Sequence, residues 1–186
     1  VWLHSLIQTT QELAANYFHA WLRQDAAAAY SFLHNDFKYW EIIAGEMNRS
    51  DFFRFLNTWF NKPTEMFFTY DFLDAGIDYA VVRYYSYFNY PGNSFRIKLE
   101  VISELFFHKD KIISQNDSID LYHFSRQAYG IFGFIFGHSL FMHKMLARQM
   151  RYPVWLANPK MDAENPLSKK LFFRSSEVRR ITPTKK

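Results

Sequence analysis

The feature that most constrains this chain is a regular alternation of side chains over residues 95–107. One set is apolar apart from a single serine: Phe95, Ile97, Leu99, Val101, Ser103, Leu105 and Phe107. The residues between them are mostly charged: Arg96, Lys98, Glu100 and Glu104, with Ile102 and Phe106 among them. A period of two predicts a β-strand that buries one face and leaves the other in water, which is typical of an antiparallel sheet.

Further strands flank this one along the chain. Residues 65–73 and 77–90 alternate in the same way, and Pro91-Gly92-Asn93 is a turn sequence. After the long strand, Lys109-Asp110 turns the chain into a last strand over residues 111–119. The second half of the first 120 residues is therefore predicted to be a run of antiparallel strands.

Helices are predicted before the strands. Thr9 and Glu12 are spaced as a capping box, Asp25 can cap a second short helix, and Ser50 can cap a third over residues 51–61. Helices followed by consecutive strands indicate an α+β fold. We expect a curved antiparallel β-sheet wrapped around the N-terminal helices, as in a cone-shaped, cystatin-like α+β barrel, with an apolar cavity inside.

The chain divides into three segments. Residues 1–120 form the predicted cone domain, 121–157 a helical extension that packs on the domain or on a partner, and 158–186 a basic, flexible tail. Residues 127–143 contain no Asp, Glu, Lys or Arg, but this stretch is shorter than the roughly 20 apolar residues that a membrane span needs. It is expected to cover the cone mouth or a second subunit, with peripheral membrane contact as an alternative. In the tail, Leu171-Phe172-Phe173 is a candidate docking patch.

Composition excludes several function classes. The chain has no cysteine, which rules out disulfides and thiol catalysis. The net charge of +4 comes from the tail, so the domain itself is not expected to bind nucleic acid. The seven histidines show no metal-ligand spacing, and there is no phosphate-binding glycine loop, so neither a metal nor a cofactor is expected. No signal peptide is visible at the start, and a cytoplasmic location is expected.

Two strings of residues resemble a known superfamily. ANYFHAWLRQDAAAAYSFLHNDFKYW is similar to the opening helices and first strand of nuclear-transport-factor-two-like proteins, and VISELFFHKDKIISQNDSID to their closing hairpin. The resemblance covers residues 9–120 and includes the SnoaL-like and ketosteroid-isomerase-like branches. The stretch SRQAYGIFGFIFGH also looks like the tail of uncharacterised SnoaL-like proteins. Because one fold supports many functions, this resemblance implies the fold more firmly than the activity.

The resemblance also implies a site. Ketosteroid isomerases have a Tyr where Tyr17 stands and an Asp base where Glu41 stands, and their protonated Asp falls on Ser103. Limonene-epoxide hydrolases use an Asp-Arg-Asp set, in which Arg83 and Asp117 match and Tyr85 replaces the other Asp, so that set is broken. SnoaL-type cyclases use an acid that Asp117 could match.

The expected catalytic residues are Tyr17, Glu41 and Asp117, and the expected ligand-binding residues are Trp21, Trp40, Arg83, Tyr85, Ser103 and Gln115. An inward carboxylate in an apolar cone would have a raised pKa, which suits an acid or base. The alternatives for these positions are structural: Tyr17 as plain core, Glu41 on an exposed edge, Arg83 paired with a carboxylate, and Asp117 paired with Arg83 or capping a turn next to Asp120.

Three functions remain open from the sequence. The first is an enzyme that moves a proton on a small apolar substrate, as an isomerase, cyclase or dehydratase. The second is a non-catalytic carrier or sensor of such a molecule. The third is an interaction module, in which the open sheet face forms a homodimer and the apolar C-terminal segment recruits a partner or a membrane.

Overall fold

The computed structural model describes the backbone of residues 2–61, 66–89 and 96–157, with side chains from residue 9 to residue 148 within those ranges. The elements are α1 (Trp2–Leu22), α2 (Ala26–Ser31), β1 (Leu33–Glu41), β2 (Gly45–Asn48), α3 (Arg49–Phe60), β3 (Phe67–Ala75), β4 (Tyr79–Asn89), β5 (Arg96–His108), β6 (Lys111–Ile119), α4 (Leu121–Tyr129), α5 (Ile131–Phe136) and α6 (Leu140–Ala157). The expected tail over 158–186, with its candidate docking patch, lies outside the described residues.

All six strands belong to one curved sheet in the order β2-β1-β6-β5-β4-β3. Neighbouring strands are antiparallel, except that β1 and β6 are parallel. The predicted α+β fold is confirmed, but the sheet is mixed rather than purely antiparallel. The parallel pair arises because the last hairpin places β6 beside β1, which precedes it by about 70 residues of chain.

The register predicted for β5 is confirmed. Ile97, Val101, Ser103 and Leu105 are buried on the inner face, whereas Glu104 on the outer face is exposed. Phe95, which the sequence placed on the same inner face, lies outside the described residues. The inner face therefore packs against helices while the charged face meets water, as the alternation predicts.

The helix starts were predicted less well than the strands. α1 begins at Trp2 rather than at Thr9, so the proposed capping box was wrong: the helix continues through that point, and the neighbouring Thr10 hydroxyl donates to the Ile77 carbonyl at 2.7 Å. Asp25 caps α2 as predicted, accepting a hydrogen bond from the Ala28 amide. α3 is capped by Asn48 rather than Ser50, because Asn48 ends β2 in an extended conformation that suits an N-cap.

The predicted C-terminal helical segment is present. α4 lies against β5, where the Gln127 amide exchanges two hydrogen bonds with the Lys98 backbone at 2.8 and 2.9 Å. α6 contacts α3 and buries Met142 and Leu146. Within the described part of the chain, no helix combines the length and the apolar character needed to cross a membrane.

Candidate functional site

The centre of the candidate site is Asp117, in the second half of β6. β6 lies between β1 and β5, so Asp117 has Glu41 beside it on one strand and Ser103 beside it on the other. All three side chains occupy the inner face, and Asp117 is fully buried. A carboxyl group in this position is removed from water and depends on neighbouring donors for stabilisation.

Three side chains donate hydrogen bonds to the Asp117 carboxylate. The hydroxyls of Tyr84 and Tyr39 lie 2.8 and 3.1 Å from Oδ2, and the amide nitrogen of Gln115 lies 2.9 Å from Oδ1. All three residues are buried, and none carries a charge at neutral pH. The carboxyl is therefore satisfied by dipoles rather than by a counter-ion.

Tyr17 connects helix α1 to this group. Its hydroxyl donates to the Gln115 carbonyl oxygen at 2.7 Å, and its ring is completely buried. A continuous chain of hydrogen bonds thus runs from α1 through Gln115 to Asp117. We call Tyr17, Tyr39, Tyr84, Gln115 and Asp117 the buried tyrosine–aspartate cluster.

Burial controls the protonation of this cluster. Loss of hydration raises the pKa of Asp117, and the hydrogen bonds from Gln115, Tyr84 and Tyr39 oppose that rise only in part. Burial, together with the negative charge of Asp117, raises the pKa of the Tyr17, Tyr39 and Tyr84 phenols well above their usual value. The phenols consequently remain donors, and the carboxyl is the group in the cluster that can exchange a proton.

Glu41 is also buried, but its carboxylate serves the turn after β1. Its two oxygens accept hydrogen bonds from the backbone amides of Ile43 and Ala44 at 2.6 and 2.7 Å. These bonds satisfy the carboxylate locally and hold it in place. The sequence alternative of an exposed edge residue is wrong, since only 2% of Glu41 is accessible to solvent.

Two buried polar atoms near the cluster have no hydrogen bond of good geometry: Trp21 Nε1 and Ser103 Oγ. Trp21 lies beside Tyr17, with ring centroids 5.8 Å apart, and Ser103 is the partner of Asp117 across β5 and β6. Trp21 lowers the pKa of Tyr17, and Ser103 lowers that of Asp117, in each case against a larger rise caused by burial. An incompletely paired donor inside a protein is costly, so each such group calls for a physical explanation.

Large aromatic side chains cover part of the cluster. The Trp21 ring meets Phe52, Phe60, Phe68 and Tyr84 at centroid distances between 5.5 and 6.3 Å. Tyr39 stacks on Phe52 at 4.5 Å. The polar cluster is thus surrounded by large apolar rings from α1, α3 and the sheet, which keep water away from Asp117.

Three predicted ligand-binding residues do not join this group. Trp40, Arg83 and Tyr85 lie on the outer face, since the inward positions of β1 and β4 belong to their neighbours Tyr39 and Tyr84. Trp40 is 48% exposed, and Arg83 forms an ion pair with Glu100 at 3.3 Å. Their expected placement in the pocket was wrong, and the alternative that Arg83 pairs with a carboxylate is the one observed.

Tyr39 and Tyr84 were missed by the sequence reasoning, although a signal was present. Tyr39 is two residues before Glu41 on the same strand and must share its face. In β4, the charged Arg83 should turn toward water, which places the adjacent Tyr84 inside. Following the alternation within β4 would have found Tyr84, whereas matching positions to a family led to Arg83 and Tyr85.

A surface cleft of about 300 Å³ lies elsewhere, between the outer side of β5 and β6 and helix α4. It is lined by Lys98, Leu99, Glu100, Ile102, Ser118, Asp120, His123 and Phe124. None of these residues belongs to the cluster. We centre the candidate site on Asp117 because the cleft lacks any comparable convergence of buried polar groups. Among the described residues, no group of three His, Cys, Asp or Glu side chains could hold a metal ion.

Comparison with known proteins identifies the fold. No family model matches the sequence, and no curated protein matches it. Solved structures do match: AclR of Streptomyces galilaeus, provisionally described as a hydroxylase, has a TM-score of 0.55 at 14% identity, covering 66% of this chain and 82% of AclR. A protein from Catenulispora acidiphila with a ketosteroid-isomerase-like fold, crystallised with trimethylamine, has a TM-score of 0.52 at 18% identity, covering 64% and 93%. This chain has the nuclear-transport-factor-two-like fold.

A third similar structure is TerC, which was co-crystallised with polyporic acid. It has a TM-score of 0.51 at 15% identity and covers 60% of this chain and 92% of TerC. At these low identities, the structural similarity shows a shared fold and does not transfer an activity.

Proposed function

We propose that the inside of the cone binds a small, mainly apolar molecule with one polar group, and that Asp117 exchanges a proton with that molecule. The observation that carries this proposal is a fully buried carboxyl with a raised pKa, held by uncharged donors within an aromatic enclosure. A carboxylate with a purely structural role is stabilised more by a cationic partner than by uncharged donors. A catalytic acid or base instead needs a pKa that is shifted toward the working pH.

The surrounding residues have distinct roles in this proposal. Tyr39 and Tyr84 are the two hydroxyl donors to Asp117, and their raised pKa keeps them protonated, so either can donate to a carbonyl or enolate oxygen of the substrate. Tyr17 positions Gln115, which in turn orients the carboxyl. Glu41 has a structural role in this proposal, because two backbone amides donate hydrogen bonds to its oxygens.

Proton transfer of this kind serves isomerase, cyclase or dehydratase chemistry. The Trp21 and Ser103 donors, which lack good partners, provide further anchoring points for the polar group of the ligand. The aromatic side chains pack closely, so entry of a ligand requires some of them to move apart. Similar structures crystallised with trimethylamine and with polyporic acid are consistent with small-molecule binding by this fold.

The test begins with the molecule that copurifies with the protein. Small molecules extracted from the wild type are identified by mass spectrometry and compared with extracts of Asp117→Asn and Tyr84→Phe. The matched controls are Asp110→Asn, in the exposed β5–β6 turn, and Tyr85→Phe, on the outer face. We expect a molecule that is retained by both controls and lost or reduced in both cluster variants.

Chemistry is tested separately with that molecule in deuterated water. Wild-type protein should catalyse exchange of an acidic C–H proton, detected by NMR, and Asp117→Asn should abolish the exchange. Binding without exchange would support the non-catalytic carrier. An extract with no small molecule, or one that is unchanged in both cluster variants, would contradict the proposed site.

A second candidate function is a homodimeric interaction module, favoured by the outer sheet face. This face exposes Trp40, Phe67, Ile102 and Phe106 at between 37% and 48%. Apolar residues on an open sheet face are typical of subunit contacts. If this function holds, light scattering should show that the wild type is a dimer and that Phe106→Glu is a monomer.

A further inference from the structure

The C-terminal helices expose an unusually apolar surface. Seven large side chains from α5 and the start of α6 are between 42% and 80% accessible to solvent. We call this the apolar helix surface, and it consists of Ile131, Phe132, Phe134, Ile135, Phe136, Leu140 and Phe141. Contiguous patches of this kind are rare on soluble monomers and mark sites of interaction.

The fold itself turns these side chains outward. α5 packs on α4 through Gly133, where a Cβ atom would come within 1.9 Å of the Ser125 carbonyl oxygen. The ring of Tyr122 stacks on His138 at 4.0 Å and closes the other end of the contact. Since the side of α5 that packs on α4 is mainly glycine backbone, most of its phenylalanine and isoleucine side chains face away.

Positive charge accompanies the apolar surface. Residues 121–157 contain four basic and no acidic residues, whereas residues 1–120 contain ten basic and fifteen acidic ones. Arg126, Lys144 and Arg148 are exposed. Leu140, Lys144 and Arg148 are four residues apart on α6 and therefore share one helix face. Apolar and cationic side chains thus lie side by side, on a part of the chain that is free of negative charge.

We propose that the apolar helix surface docks on an anionic lipid bilayer, with its phenylalanine and isoleucine side chains in the interfacial layer. Aromatic and aliphatic side chains flanked by Lys and Arg are the combination that such interfaces bind. A second copy of the chain is a poorer occupant, because a two-fold contact brings the same positive charges together. This docking is independent of the Asp117 site.

The experiment is flotation of the full-length protein with vesicles. One set contains phosphatidylcholine only, and the other contains phosphatidylcholine with phosphatidylglycerol. We expect the wild type to float mainly with the anionic vesicles and to be released by salt, since screening weakens attraction between surface charges.

Two double variants separate the contributions of apolar side chains and of positive charges to vesicle binding. Ile131→Gln/Ile135→Gln should lower the partition coefficient on anionic vesicles about tenfold or more, because it removes two exposed apolar side chains. Lys144→Gln/Arg148→Gln should lower it by about tenfold or more on anionic vesicles only. The matched controls are Leu73→Gln/Ile77→Gln, exposed apolar residues of the β3–β4 region, and Arg23→Gln/Lys38→Gln, which remove the same charge elsewhere.

Both controls should bind as the wild type does, and circular dichroism should show folded protein in every case. Wild-type protein that floats with neither vesicle, or equally with both, overturns the proposal. If Ile131→Gln/Ile135→Gln instead converts a dimer into a monomer without changing flotation, the surface belongs to a second copy. If flotation appears only when Leu171, Phe172 and Phe173 are changed to Asp, the chain's own tail occupies the surface in the wild type, and the proposal is likewise overturned. If Ile131→Gln/Ile135→Gln does not fold, the proposal is tested by Lys144→Gln/Arg148→Gln and by the salt dependence of flotation.

Discussion

Removal of one hydroxyl, in Tyr84→Phe, tests the electrostatic description of the cluster. The lost hydrogen bond is 2.8 Å long and ends on a fully buried carboxyl. Such a bond contributes about 1.5–3 kcal/mol when its acceptor is charged and about 0.5–1.5 kcal/mol when both groups are neutral. The loss of stability should therefore depend on whether Asp117 is ionised.

The direction of the pH dependence follows from the raised pKa of Asp117. A raised pKa means that the folded protein holds its proton more tightly than the unfolded chain. Asp117 therefore favours folding below its unfolded pKa, and that contribution is lost as the pH rises through the folded value. We expect Tyr84→Phe to cost about 1 kcal/mol near pH 4 and about 2 kcal/mol near pH 8, because the carboxylate at high pH relies more on its donors.

The measurement is urea denaturation at both pH values. Tyr85→Phe is the matched control, because Tyr85 is the next residue of β4 and lies on the outer face. It should change the free energy of unfolding by less than about 0.5 kcal/mol. In the Asp117→Asn background, the Tyr84→Phe effect should no longer depend on pH. An equal loss at the two pH values, or a pH dependence that survives Asp117→Asn, would refute the reasoning.

Three further predictions concern the cluster and the helices. In an NMR titration of side-chain carboxyls, Asp117, assigned through Asp117→Asn, should titrate above its ordinary value of 3.8; a value at or below 3.8 would contradict its dry environment. Gly133→Ala should destabilise the α4–α5 contact by about 1–3 kcal/mol, because the added Cβ would clash with the Ser125 carbonyl oxygen. The measurement is hydrogen exchange, in which the amides of α4 and α5 should exchange faster than in the wild type. Asp25→Ala should cost about 1 kcal/mol in urea denaturation through loss of the α2 cap, and no change would show that the cap is dispensable.

Local sequence patterns determined much of the fold. The alternation over residues 95–107 identifies β5 and its inner face, and Lys109-Asp110 places the turn before β6. Asp25 marks the start of α2 because an N-cap depends only on the next few residues. These features are local, so they can be read without knowing which elements are neighbours. Even the inward position of Ser103 follows from its place in the alternation.

Only the tertiary structure decided which side chains meet. Periodicity indicates the face of a strand on which a residue lies, but not the strand that lies beside it or the register between them. The parallel pairing of β1 with β6 aligns Glu41 with Asp117, and the curved sheet brings Tyr39 and Tyr84 to one carboxyl oxygen. The exposure of α5 likewise depends on the close approach of Gly133 to α4. These contacts join residues distant in sequence, and their geometry is set by packing of the whole chain.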